Sequence, residues 1–337
     1  MTKENNLKIR MSNFEILRII CMILIVAHHF AWHSSLSANT PVVNKRIMDA
    51  LVVGGKIAVN VYVLISGYFM IESKFKWEKV LRLFLQLLFY SVGIYLVLVL
   101  FKCVSFDLKT FRELFFPIYT YQYWFMSFFM LLYFLSPYLN KMLKNCNQKE
   151  LLLLILVLLI FQLDTTIAKL HFSVGNLVWF ITLYIIAAYL RLYSNKLLNN
   201  KYSMLVTLII SLVFIVYQYS FKGINYWNMN KGISLICSLS LFLFFKNLDI
   251  KNNKVINLIS SATLGVYLIH DNGFIRPLLW NKWINVPSLA LKDSLWIYSI
   301  LIIIGVYLIC TLIELLRKYI EGLIIKIIKK KKVIKRV

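Results

Sequence analysis

Residues 14–32 read FEILRIICMILIVAHHFAW. The run is apolar enough to lie in a bilayer and, as a helix of nineteen residues, long enough to cross one. It nevertheless holds Glu15, Arg18, His28 and His29. An arginine at the centre of a membrane helix costs about 2.5–3.5 kcal/mol on insertion scales, so charge in such a run demands a role. Arg18 and His29 are eleven residues apart. At 3.6 residues per turn that is about three turns, so both project from nearly one face, roughly 16 Å apart along the axis. Glu15 lies one turn before Arg18, placed to pair with it, and His33 extends the stripe by another turn. His28 points about 100° away and reads as a packing or interhelical residue.

The rest of the chain repeats the apolar theme. Of 337 residues, 60% are hydrophobic, with a mean hydropathy of +0.74, more apolar surface than one soluble core can use. The expected fold class is therefore an all-α integral membrane protein, with about ten transmembrane helices in one bundle. The spans fall near 14–32, 51–70, 80–101, 120–139, 151–164, 176–193, 204–220, 231–247, 255–272 and 294–316. The fifth is the shortest and could extend to Ala168.

Charge sets the expected orientation. The net charge of +24 sits in short clusters between spans rather than in one patch, so it reads as topology signals and excludes nucleic acid as the partner. With flanking residues counted to the nearer side, 25 Lys and Arg lie on the side of the termini and 11 on the other, Arg18 and Lys56 being inside spans. The bias places both termini in the cytoplasm, and it persists at 16 against 11 without the tail. Residues 1–316 then form the membrane domain and 317–337 a basic cytoplasmic tail, whose KIIKKKKVIKR run suits anionic membrane lipids. Five scattered cysteines show no metal spacing and no disulfide framework, and no metal is expected. The long 272–293 segment, with two Pro and two Trp, is expected to lie along the outer interface or fold over a cavity. Abundant Lys, Ile and Asn fit an AT-rich, bacterial genome and a multi-pass protein of the plasma membrane.

Six strings then carry a resemblance. ILRIICMILIVAHHF is similar to the opening helix of the membrane acyltransferase-3 family, in which a basic residue, ten residues and a His form the hallmark. GGKIAVNVYVLISGYFM resembles its second span and KFKWEKVLRLFLQLLFY its basic approach to the third. YWFMSFFMLLYFLSPYL and NLVWFITLYIIAAYLRL resemble its Trp-containing middle spans, and SATLGVYLIHDN its late Gly-x-Tyr-Leu-Ile-His helix. The likeness covers about residues 12–316 in order.

That resemblance implies transfer of an acyl group, usually acetyl from acetyl-CoA, to a hydroxyl of an extracytoplasmic glycan. The acceptor would be a surface polysaccharide or its lipid-linked precursor. Arg18, Lys79 and Arg82 would then meet the donor's phosphates at the cytoplasmic mouth, although Lys79 and Arg82 also serve as positive-inside signals. His29 would act as general base toward the acceptor hydroxyl or carry the acyl group itself; the residues leave both routes open. Asn60 and Ser66 are candidates for orienting the base or holding an oxyanion, or else for interhelical hydrogen bonds. Trp124 and Trp179 suit stacking on sugar or adenine, or interfacial anchoring. His270 reads as lining the acceptor side or packing, and His171 as a solvated loop residue. A base usually has a carboxylate partner; Asp49, Asp164 and Asp271 are the candidates. Some relatives carry an extracellular hydrolase-like domain; here either the bundle completes the reaction or a separate extracellular transferase does. The rival readings are a transporter or flippase for lipid-linked sugars, and a structural subunit of a glycan-assembly complex. Intramembrane charge suits the transporter, but no pair of Gly- or Pro-broken spans marks corresponding halves.

Overall fold

Helix follows helix from Ser12 onward in the computed structural model, which describes residues 10–163, 176–193 and 196–334. No strand occurs among the described residues. The long helices are α1 (Ser12–Trp32), α2 (Val42–Met70), α3 (Trp77–Leu100), α5 (Trp124–Asn145), α6 (Gln148–Gln162), α7 (Asn176–Leu192), α8 (Lys201–Lys222), α9 (Gly232–Lys246) and α14 (Leu295–Ile334). Shorter pieces are α4 (Leu108–Glu113), α10 (Lys254–Ser260), α11 (Thr263–His270), α12 (Ile275–Pro277) and α13 (Val286–Leu289), with a π-helical turn at Leu278–Trp283. Among the described residues five helices are long and apolar enough to cross a membrane: Ser12–Trp32, Val42–Met70, Trp77–Leu100, Lys201–Lys222 and Leu295–Ile327.

The helices form where the chain chemistry allows. Asn147 caps α6 by accepting from the Lys149 and Glu150 amides, while Glu150 accepts from the Asn147 amide, a reciprocal box. Asn200 and Asn253 cap α8 and α10 through their side-chain oxygens, and α8 stops at Gly223 with φ +66°. Pro137 lies inside α5 and cannot donate to Tyr133 four residues back. The Ser136 hydroxyl donates to that carbonyl instead, at 2.7 Å, so the helix continues.

Packing separates an interior from an apolar exterior. α1 and α2 run through the centre, with Leu17, Cys21, Val26, Phe30, Val61 and Leu64 fully buried. α3, α8 and α14 instead turn Leu85, Phe89, Ile209, Ile210, Ile300 and Leu301 outward. Apolar belts of that extent suit hydrocarbon, since soluble monomers rarely expose large contiguous apolar patches.

Several boundaries differ from the sequence expectation, among them α5, which runs Trp124–Asn145 rather than 120–139. α2 begins at Val42, ahead of residue 51, because Pro41 stands at its N-cap. The ninth segment is broken into α10 and α11 at Ser261 and Ala262, where the Lys318 ammonium meets the Ser261 carbonyl and, at 3.0 Å, its hydroxyl. α14 passes residue 316 without interruption. α6 ends at Gln162, and the sixth-segment approach with Asp164, Ala168 and His171 lies outside the described residues.

The 272–293 segment folds over the end of α1. Asn281 donates to the His33 carbonyl and accepts from the Ser35 amide, both at 2.9 Å. Trp280 is buried edge-on against Phe30, and Asn44 of α2 ties the segment's far end through the Ala290 and Lys292 carbonyls.

Candidate active site

A cavity of about 270 Å³ opens between α1, α2, α3, α5 and α11. α1 contributes Arg18, Met22, Ile25 and His29, which recur at i, i+4, i+7 and i+11. α2 answers with Gly55, Val59, Tyr62 and Ser66 at the same period. Two stripes thus face one another, the one on α1 polar at both ends and apolar between, the one on α2 ending at Ser66 on the Arg18 side. Lys79 and Leu83 of α3 close the Arg18 end, and Trp124, Phe125 and Phe129 of α5 a side wall.

At one end, Glu15 is buried and accepts from Arg18 Nη1 at 2.8 Å and from the Ser260 hydroxyl at 2.5 Å. Arg18's backbone carbonyl accepts from the Tyr62 hydroxyl at 2.7 Å. The guanidinium is held from one side only and keeps donors for an anion. The Lys79 ammonium lies 4.6 Å above the Tyr133 ring, beside the same opening.

The other end is built around imidazoles. His29 Nδ1 lies 2.9 Å from His270 Nε2 and 3.6 Å from Asp271 Oδ1. That carboxylate oxygen is also 3.5 Å from His33 Nε2 and 3.3 Å from Arg276 Nε. A buried anion thus sits among two imidazoles and a guanidinium. His28 lines the cavity while its Nδ1 lies 2.7 Å from the Val52 carbonyl and its ring stacks on Trp32. Lys56 also lines it, with its ammonium 4.7 Å above the Trp124 ring.

Of the residues singled out from sequence, Arg18, His29, Lys79, Ser66 and Trp124 share this cavity. Ser66 donates to the Tyr62 carbonyl one turn back. Arg82, Asn60 and His270 do not line it. Arg82 is exposed on the face of α3 that carries Leu85 and Phe89, away from the Lys79–Leu83 face. Asn60 is fully buried among α2, α7 and α9; it donates to the Met229 carbonyl and Ser238 and accepts from Trp179 Nε1 at 2.9 Å. Its amide is satisfied by interhelical bonds, and Trp179 is a packing residue for the same reason. His270 stands behind His29. Among the described candidate carboxylates, Asp271 is the one beside His29, whereas Asp49 lies on α2 near Tyr219; Asp164 lies outside the described residues.

Sequence reasoning passed over Lys56, Tyr62, Thr263, Tyr267 and Arg276 as site residues. A lysine inside the second span was the available signal for Lys56, and Tyr62, Thr263 and Tyr267 stand in strings already matched to the family, Tyr267 in its Gly-x-Tyr-Leu-Ile-His helix; nothing local marks Arg276. His29, His33 and Asp271 each bring a ligand-type atom within 4.8 Å of the others. That is the donor set of a three-ligand metal site. Two of the three already have partners, His29 Nδ1 in His270 and Asp271 in Arg276.

Fold and site together define an all-helical membrane protein with a buried histidine and a cation at opposite ends of one cavity. Residues 11–315 match the acyltransferase-3 family, described as an acyltransferase domain, and the chain belongs to that family. No curated protein and no solved structure matches the chain.

Proposed function

We propose that this acyltransferase is an O-acetyltransferase. It moves acetyl from acetyl-CoA to a hydroxyl of a surface polysaccharide or its lipid-linked precursor, across a bacterial plasma membrane crossed ten times with both termini cytoplasmic. One observation carries the reading: a single cavity joins Arg18 and Lys79 to His29. Its volume of about 270 Å³ is at the small end for ligand pockets, about 300–1,000 Å³. It suits the acetyl group and part of the pantetheine arm, with the nucleotide phosphates left at the Arg18 mouth.

In this scheme the acceptor hydroxyl enters from the His29 end. Its oxygen attacks the thioester carbonyl carbon as His29 takes the hydroxyl proton, and Asp271, at 3.6 Å, balances the imidazolium that forms. Collapse of the tetrahedral intermediate breaks the carbon–sulfur bond, and the proton returns from His29 to the CoA thiolate. Lys56, held over Trp124, supplies positive charge inside the cavity where negative charge develops on oxygen. The apolar middle of both stripes keeps water from the thioester.

The test is His29→Ala in cells that make the glycan. We expect ester-linked acetyl on released glycan to fall by about 100-fold or more, the scale of a lost general base, with glycan amount and export unchanged. Loss of exported glycan would instead mark a transporter, and unchanged acetylation would remove His29 from the chemistry.

A further inference from the structure

We infer that His270 is a positioning residue that fixes which nitrogen of His29 carries the proton. The inference rests on the proposed role of His29 as base. It starts from two distances: His270 Nδ1 to the Val266 carbonyl, 2.6 Å, and His270 Nε2 to His29 Nδ1, 2.9 Å.

A carbonyl oxygen only accepts, so the hydrogen of the first bond belongs to His270 Nδ1. His270 is fully buried, and among the described residues its ring makes no ion pair with a carboxylate, Asp271 facing His29, His33 and Arg276 instead. A second cation there would be desolvated without a counter-ion of its own, so His270 is neutral. Its Nε2 therefore has a lone pair and accepts. The donor in the second bond must then be His29 Nδ1–H. A neutral His29 with its hydrogen on Nδ1 has its lone pair on Nε2, the nitrogen not engaged with His270. The base is set before any substrate arrives.

The chain of bonds ends at a backbone carbonyl that cannot take a proton. His270 is thus no conduit: it orients His29 and selects its tautomer, while the charge formed in the reaction is met by Asp271. The arrangement also occupies Nδ1 with hydrogen, so that atom is not a metal ligand in the working enzyme. α11 is built for the task, since Val266 and His270 are four residues apart on one short helix and the bond is intrahelical.

The experiment compares His270→Leu, His270→Gln and His29→Ala in the purified protein with acetyl-CoA and, as acceptor, surface polysaccharide extracted from producing cells that lack this protein. Leucine offers no acceptor, whereas the glutamine amide oxygen reaches toward the same position and accepts. We expect kcat to fall about 10-fold to 100-fold in His270→Leu, as for lost outer-shell partners, with KM for acetyl-CoA unchanged. His270→Gln should restore most of it. Nitrogen-15 NMR of histidine-labelled protein should show His29 unprotonated at Nε2 in the wild type and mixed tautomers in His270→Leu. Treatment with a zinc chelator should leave kcat unchanged.

Full activity of His270→Leu beside an inactive His29→Ala would overturn the inference while sparing the base assignment. An active His29→Ala would overturn the base assignment itself. An Nε2-protonated His29 in the wild type, or activity lost on chelation and restored by zinc, would overturn the inference.

Discussion

At the scale of single residues, the legible part was the part encoded in one helix. Arg18 and His29 fall on one face because eleven residues make close to three turns, a relation that needs no knowledge of neighbouring helices. The partners of His29 are a different matter: His270 is 241 positions away. Asp271 could be named from sequence only as one of three carboxylates. Asn60 shows the converse case. A polar residue in a membrane span signals that a partner exists but not on which side, and the partners of Asn60 are Met229, Ser238 and Trp179, the interhelical of the two alternatives. Lys79 and Arg82 separate for the same reason: one faces the cavity with Leu83, the other the outside. Their difference is testable. Arg18→Ala should raise KM for acetyl-CoA about tenfold or more, as expected for lost hydrogen bonds to a charged group, while Arg82→Ala should leave it unchanged. A fall in kcat at constant KM in Arg18→Ala would remove its phosphate role.

At the scale of elements, hydropathy located the apolar helices but not their breaks or close approaches. The stretch Ser260, Ser261, Ala262, Thr263 contains no Gly or Pro, yet the helix parts there because Lys318 of α14 meets the freed groups. Such compensation between distant segments has no local signature. Close approach does leave one. Gly55 lets α2 sit against His28, where a methyl group would lie 2.3 Å from the imidazole Cγ. Gly265 similarly admits Glu314, whose buried carboxylate is held by Tyr90, Gln86 and Arg317. We expect Gly55→Ala to destabilise the protein by about 1–3 kcal/mol, the usual cost of overpacking, and to cut acetylation with it. Gly93 of α3 has open space around it. Gly93→Ala should be neutral or stabilise by up to about 1 kcal/mol, since helix propensity alone changes. Thermal melts in detergent measure both, and equal melting of the two variants would refute the close packing of α1 on α2.

At the scale of the whole molecule, the balance of basic residues gives a direction that no helix gives alone. The proposed ten crossings put the loop after α3 outside and the loop between α5 and α6 inside. Two native cysteines report on this: Cys103 is exposed in the first loop and Cys146 is partly exposed in the second, whereas Cys21, Cys237 and Cys310 are buried. A membrane-impermeant maleimide should label Cys103 in intact cells and Cys146 only after permeabilisation. The reverse pattern would invert the topology, and labelling of both in intact cells would break the count of crossings.

If acetyl-CoA is the donor, as proposed, the carboxylate of Glu15 beside Arg18 bears on turnover. Spent carrier and loaded donor differ by one small acyl group and share every phosphate. A mouth gripping those phosphates with unopposed charge would hold both alike, and the spent form would linger and block the next cycle. In the proposed reaction Glu15, which half tethers Arg18 at 2.8 Å, would loosen that grip equally for arrival and departure and leave discrimination to the far end, where only the acyl group reaches.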